Sequence, residues 1–211
     1  MSYWQQEVLP VSLIAYWKLD EAEGVLAADI AGENDAMLHG EPIWQPESGM
    51  IGGALQLDGV DDYTSTEFVL NPANGAFSAF AWVKSNAPGG VIVSQTNGTG
   101  SGETWLGTEP SSGKLLSGLV FPPVGRFITQ PLKSEFVITD DQWHHVGFVW
   151  DGSYRHLYVD GTEVAKDAVA VAPLKSATGG LYIGAGKALD AASFFSGLID
   201  DVRVYDRAVM P

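Results

Sequence analysis

The chain of 211 residues has no cysteine, which excludes disulfides, thiolate metal centres and a cysteine nucleophile. It lacks any apolar run long enough to cross a bilayer as a helix, so membrane insertion is not expected. Cations are scarce: 11 Lys and Arg stand against 26 Asp and Glu, a formal net charge of −15. Such a surface is repelled by phosphate backbones and anionic lipid, so nucleic acid is not an expected partner. Helical periodicity is also missing; only Gly186 to Phe194 approaches it, and too briefly. Met1 to Pro10 offers neither the basic start nor the apolar stretch of a signal peptide. With an ending that reads as a strand leaving into a linker, this suggests a domain excised from a longer secreted protein.

What is present points to a β sandwich. Hydrophobic residues make up 45% of the chain, enough to offset the entropy of ordering it. The 25 glycines and 11 prolines are spread throughout, as many short strands joined by tight turns require. No repeat of fixed period appears, which disfavours a propeller or solenoid, and the length suits a single domain. Period-two alternation marks Leu13 to Leu19, a short segment at Ala36 to Leu38, Ala54 to Leu57, Tyr63 to Phe68 and Phe77 to Lys84. In the last of these both faces are apolar, so it is expected at the centre of a sheet. Weaker patterns follow at Val91 to Ser94, Glu103 to Gly107, Lys114 to Phe121 and Arg126 to Thr129. His144 to Trp150 and Arg155 to Val159 are strong, and Asp160-Gly161 predicts a two-residue reversal into Thr162 to Ala165, because primed turns need positive φ. Leu181 to Gly184 and Leu198 to Tyr205 complete the series.

Several of these segments form a familiar set. Leu13 to Glu21 (LIAYWKLDE), Asp29 to Ala36 (DIAGENDA), Gly53 to Tyr63 (GALQLDGVDDY), Phe77 to Lys84, Trp143 to Val146 with Leu157 to Gly161, and Gly197 to Tyr205 (GLIDDVRVY) resemble laminin-G-like jelly-roll domains of the concanavalin A-like lectin/glucanase superfamily. The blocks occur in that family's order over Leu13 to Arg207. The resemblance implies an all-β fold, a two-sheet antiparallel jelly-roll sandwich over 13–207, with 1–12 as an extension and 208–211 as the start of a linker. It further implies first and last strands that lie together, often with calcium near their junction. It names no ligand, since function lives in sites rather than folds.

The leading candidate site is a structural calcium ion held by Asp29, Asn34, Asp35 and Asp200 with the carbonyl of Gly32. Ca²⁺ takes six to eight oxygens and suits a Gly-containing loop rich in carboxylates. By resemblance, Asp29, Asn34 and Asp200 match the family's metal positions; Ala36 departs from it, where many members carry Gly. Asp200 shares the parity of Val202 and Val204, so it is expected to point into the core and to need a cation or donors, with Asp201 pointing outward. The alternative is that these side chains simply cap turns. Asp58-Gly59-Val60-Asp61-Asp62 reads as an acidic turn.

A glycan contact needs an aromatic face beside polar groups, and Trp105, next to Glu103 and after the loop bearing Asn97, is the expected site: Asn97, Glu103 and Trp105. Trp44, Tyr63, Phe121, Phe194 and Phe195 lie near turns; Trp17, Trp82, Trp143 and Trp150 are assigned to packing. His144-His145 point to opposite strand faces and cannot share an ion, and neither His39 nor His156 has triad partners. Asn97-Gly98-Thr99 matches a glycosylation sequon. No strand carries the Glu-x-Asp-x-(x)-Glu arrangement of the superfamily's hydrolases. The expectation is therefore a monomeric, non-catalytic binding module of an extracytoplasmic protein, its partner a polysaccharide or other glycan, with protein adhesion or a purely architectural role as alternatives.

Overall fold

The computed structural model describes residues 12–96, 102–123, 130–167 and 173–211. Along the chain lie β1 Leu13–Trp17, β2 Leu26–Ala27, β3 Ala36–His39, β4 Ile43–Gln45, β5 Ala54–Asp58, β6 Tyr63–Ser65, β7 Phe77–Lys84, β8 Val91–Thr96, β9 Gly102–Thr108, β10 Lys114–Ser117, β11 Leu132–Val137, β12 Trp143–Trp150, β13 Arg155–Val159, β14 Thr162–Lys166, β15 Leu181–Ile183 and β16 Ser196–Tyr205. A 3-10 turn at Pro72–Asn74 is the only helical element among the described residues. The first sheet runs β14-β13-β12-β7-β16-β5-β4, with β1 also paired to β16; the second runs β11-β10-β9-β8-β15-β6-β3-β2. The architecture is the expected two-sheet antiparallel sandwich, and its first and last strands do pair, Tyr16 opposite Arg203 and Trp17 opposite Val202.

Alternation builds the core. On β7, Phe77, Ala79, Ala81 and Val83 join Trp17, Trp105, Trp150, Phe148 and Phe195 in one buried cluster. Each large apolar side chain taken fully out of water contributes roughly 1.5–3 kcal/mol. The opposite face of β7 carries Phe80, which packs with Leu13, Tyr16, Val149, Tyr158 and Tyr205 in a second cluster on the outer surface of the first sheet. Ala208 and Val209 cover that cluster, and the Val209 amide donates to Ser78 Oγ at 2.8 Å. The residues expected to leave as a linker thus lie against the sheet.

Asp160 and Gly161 adopt φ of 51° and 75°, the positive values the predicted hairpin between β13 and β14 requires. Three strands were not legible: β2 and β4, each two or three residues at a sheet edge, and β11, an edge strand with mostly exposed side chains. Edge strands bury too little to impose alternation on the sequence. The expected strand at Arg126 to Thr129 lies outside the described residues.

Candidate functional site

The loop after β2 brings Asp29, Gly32, Asn34 and Asp35 together, as expected, but as a hydrogen-bonded turn. Asp29 Oδ1 accepts from the amides of Tyr16 (2.8 Å), Ala31 (3.0 Å) and Gly32 (3.0 Å). Its Oδ2 accepts from the Asn34 amide and Asn34 Nδ2, both at 3.1 Å. Asp35 Oδ1 in turn accepts from the Asp29 amide at 2.9 Å. A Cβ on Gly32 would come within 2.8 Å of both Asp29 Oδ2 and the Ile14 carbonyl oxygen, so only glycine fits there. Five N–H donors already occupy the Asp29 carboxylate, which is what tying this loop onto β1 demands.

Asp200 belongs to a different group. The Asp200-to-Arg203 stretch of β16 carries one residue more than the β7 segment it faces, Trp82 to Phe80. This bulge, with Asp201 at φ 55°, resets the alternation. Val202 and Val204 face the core as expected, yet Asp200 sits opposite Trp82 on the outer side of the sheet, under the loop that precedes β5. The parity argument that turned Asp200 inward is corrected by this extra residue, while Asp201 lies on the outer side as expected, against Tyr16 and Arg203. Asp200 is nonetheless 0% exposed. Its Oδ2 accepts from the Ile51 amide at 2.8 Å, while its Oδ1 has no hydrogen-bond partner among the described residues. Burial, aided by the nearby charges of Asp201 and Asp20, outweighs the backbone amides of Ile51 and Met50 and pushes its pKa up to about 7. Asp20 approaches the same loop, Oδ1 accepting from the Gly53 amide at 2.6 Å. Asp201 is itself buried and spent on structure: it accepts from the Tyr16 hydroxyl and pairs with Arg203 Nη2 at 3.0 Å.

Asp58, Asp61 and Asp62 offer oxygens within 4.8 Å of one another. They behave as the acidic turn the sequence suggested. Asp58 Oδ1 accepts from the Val60 amide at 2.7 Å, and Asp62 accepts from the amides of Glu41 and Asp58 at 2.7 and 3.0 Å. Burial holds the Asp62 carboxyl above its ordinary range.

The expected glycan residues are not a surface. Asn97 lies outside the described residues. Trp105 is 0% exposed and packs on Phe77 with ring centroids 5.1 Å apart, because its strand parity faces the core. Glu103 is 7% exposed and held by Lys175 Nζ at 2.9 Å. The expectation of a platform at Trp105 is corrected accordingly. His144 and His145 take opposite faces as argued: His144 lies between Asp160 (2.8 Å) and Asp140 (3.1 Å), while His145 packs on the other face against Phe80 and Trp82. The other two do have polar partners, His39 at Ser65 Oγ (2.7 Å) and His156 between Glu163 (2.6 Å) and Asp151 (3.1 Å).

That other face is what the sequence reading missed. Trp82 and Lys84 alternate with the core positions of β7 and lie across from His145 and Trp143. All four are half-buried. Of these, Lys84 lines a cleft of about 360 Å³ together with Gln45, Gln56, Asn86, Asp141 and Ser196. Gln45 Nε2 donates to Gln56 Oε1 at 2.6 Å, which fixes the two amides relative to each other. Among the described residues Lys84 has no carboxylate partner within ion-pair distance, although acids outnumber bases by more than two to one. The signal was present: Lys84 shares the face of Trp82, and a lysine seldom sits on a fully covered one.

The Laminin_G_3 family model (Concanavalin A-like lectin/glucanases superfamily) matches residues 58–211. The chain belongs to this superfamily. None of the curated proteins matches this laminin-G-type domain. Among solved structures it is similar over 94% of its length to 94% of domain 4 of AbnA, an extracellular GH43 arabinanase of Geobacillus stearothermophilus, in complex with arabinotriose (TM-score 0.67, 19% identity). It is similar over 96% of its length to 31% of Trypanosoma rangeli sialidase (TM-score 0.67, 16% identity). The binding domain of botulinum neurotoxin DC, in complex with SialylT, aligns over 94% of this chain and 49% of its own (TM-score 0.66, 14% identity). Identities this low establish the shared fold of the domain.

Proposed function

We propose that this domain is a non-catalytic carbohydrate-binding module of a larger secreted or cell-surface protein, and that it takes a neutral oligosaccharide on the outer face of its first sheet. The observation that carries this reading is the pair of half-buried indoles, Trp82 and Trp143, on the face shared with Lys84, which lies across from Trp143 and lines the polar cleft of about 360 Å³. A sugar ring offers a C–H face to stack on an indole and a rim of hydroxyls. Amides, an ammonium and a carboxylate at Gln45, Gln56, Asn86, Lys84 and Asp141 complement that rim. Two structural neighbours were solved with bound carbohydrate-related ligands, arabinotriose and SialylT, which supports the ligand class. The net charge of −15 favours a neutral sugar over an acidic polymer. A binding role is also supported by how the clustered carboxylates are used: Asp29, Asp58 and Asp62 are engaged by backbone amides.

The same reading includes a structural calcium ion, now at Asp200 and Asp20. A buried carboxylate oxygen without a donor, with a second carboxylate bonded to the same loop, fits a hard cation that takes its remaining ligands from carbonyls. The Asp29 group fits it poorly, since N–H donors already fill that carboxylate. Affinity electrophoresis or calorimetry against arabinan, xylan, β-glucan and sialylated glycans tests the binding role. Millimolar or tighter binding to a neutral polymer is expected; silence across the panel would refute it.

A further inference from the structure

The second sheet carries its own half-buried ring cluster on its outer face. His39 on β3 lies across from Tyr63 on β6, and Tyr182 on β15 lies across from Ser65. The His39 and Tyr63 rings stack at 4.4 Å and 11°; Tyr182 meets Tyr63 edge-on at 5.2 Å, and Phe194 closes the group at 6.2 Å. All four are half-buried and none belongs to either hydrophobic cluster. His39 Nε2 is bonded to Ser65 Oγ at 2.7 Å. The Tyr63 and Tyr182 hydroxyls have no hydrogen-bond partner among the described residues.

We infer that this cluster is a second carbohydrate contact, which takes the ring of a neutral sugar against Tyr63 and Tyr182 while the free phenol hydroxyls and Ser65 bond its hydroxyls. The choice of a neutral sugar follows from charge. The exposed Asp61 precedes Tyr63 by two residues and the exposed Glu41 follows His39 by two, so carboxylates border the patch and oppose an acidic sugar. The cluster lies on the outside of one sheet and Trp82 on the outside of the other. Two sheet layers about 10 Å apart, with side chains on both surfaces, separate them. One short oligosaccharide cannot reach both, so the domain holds two glycan chains at once and bridges them. This extends the ligand class proposed above to a separate surface.

The test is an amide- and indole-resolved NMR titration of the full chain with arabinotriose, xylotriose, cellotriose and laminaritriose, with sialyllactose as the acidic control. A neutral trisaccharide is expected to shift two independent sets of signals, one at Trp82 and Trp143 and one at Tyr63 and Tyr182, with no shift of the second set by sialyllactose. The double substitution Tyr63→Ala/Tyr182→Ala should weaken the second set at least tenfold and leave the first unchanged. Tyr182→Phe, which keeps the ring, should lose less. Shifts at the tryptophans alone would overturn this inference and leave the first site standing. Shifts at the tyrosines alone would do the reverse, and no shift at either surface would overturn both. A response of the tyrosine set to sialyllactose equal to that for the neutral sugars would overturn the neutral-sugar assignment.

Discussion

Asp200→Asn in metal-free protein is the sharpest stability experiment. In the folded state the Asp200 carboxyl titrates near pH 7, whereas in the unfolded chain it returns to about 3.9. The folded state therefore holds a proton that the unfolded state has released. The stabilisation tied to this group is fully present below about pH 4 and is lost as pH rises through 7. Three pKa units correspond to about 4 kcal/mol at most. Because Met50 and Ile51 of the covering loop are themselves exposed, solvent screening lowers this to about 2 kcal/mol. For a chain of this size that is a fall in Tm of roughly 4–8 °C. The assay is thermal melting in chelator from pH 4.5 to 8.5. Wild type should lose stability across that range by this amount beyond the loss shown by Asp200→Asn. At pH 8 without metal the variant should be the more stable protein. Added Ca²⁺ should reverse the order, because wild type gains about 2.7 kcal/mol when the ion is at a hundred times its Kd. Identical pH profiles for the two proteins would refute the buried, unsatisfied carboxylate. Equal gains from Ca²⁺ would refute its role as a ligand.

Two further substitutions test the parts of the seam and core that were reassigned. Gly32→Ala drives a methyl group into Asp29 Oδ2 and the Ile14 carbonyl. It should destabilise the fold by about 1–3 kcal/mol in urea unfolding, without changing the increment that Ca²⁺ adds; a loss of that increment would return the ion to the Asp29 loop. Trp105→Ala empties a fully buried site and should cost about 3–5 kcal/mol, while the fraction that remains folded binds sugar as wild type does. A folded variant without sugar binding would restore Trp105 as a contact residue.

Much of the fold was written in alternation. Ala15 to Leu19, Phe77 to Lys84 and His144 to Trp150 follow a two-residue period because one face of each lines the core, while an irregularity between Leu13 and Ala15 turns Leu13 to the outer cluster. The Asp160-Gly161 hairpin was legible because few residues accept its backbone angles. The site was harder to read, for two physical reasons. A bulge inserts one residue and inverts the face of everything before it, so counting back from Val202 placed Asp200 on the wrong side. Nothing in Ile199-Asp200-Asp201-Val202 marks the bulge, since Asp tolerates positive φ without requiring it. Proximity along the chain also misled: Trp105 follows a glycine-rich loop but takes the inward parity of β9, whereas Trp82, in the middle of a long strand, faces outward beside Lys84.

The outer face of the first sheet remains the claim on which the functional account turns. Calorimetric titration of a neutral oligosaccharide into wild type and into Trp82→Ala/Trp143→Ala tests it directly. Wild type should bind there with millimolar or better affinity, and the double variant, expected to stay folded because neither indole lies in the core, should lose that site by at least tenfold, about 1.4 kcal/mol. Unchanged affinity in a folded double variant would contradict it.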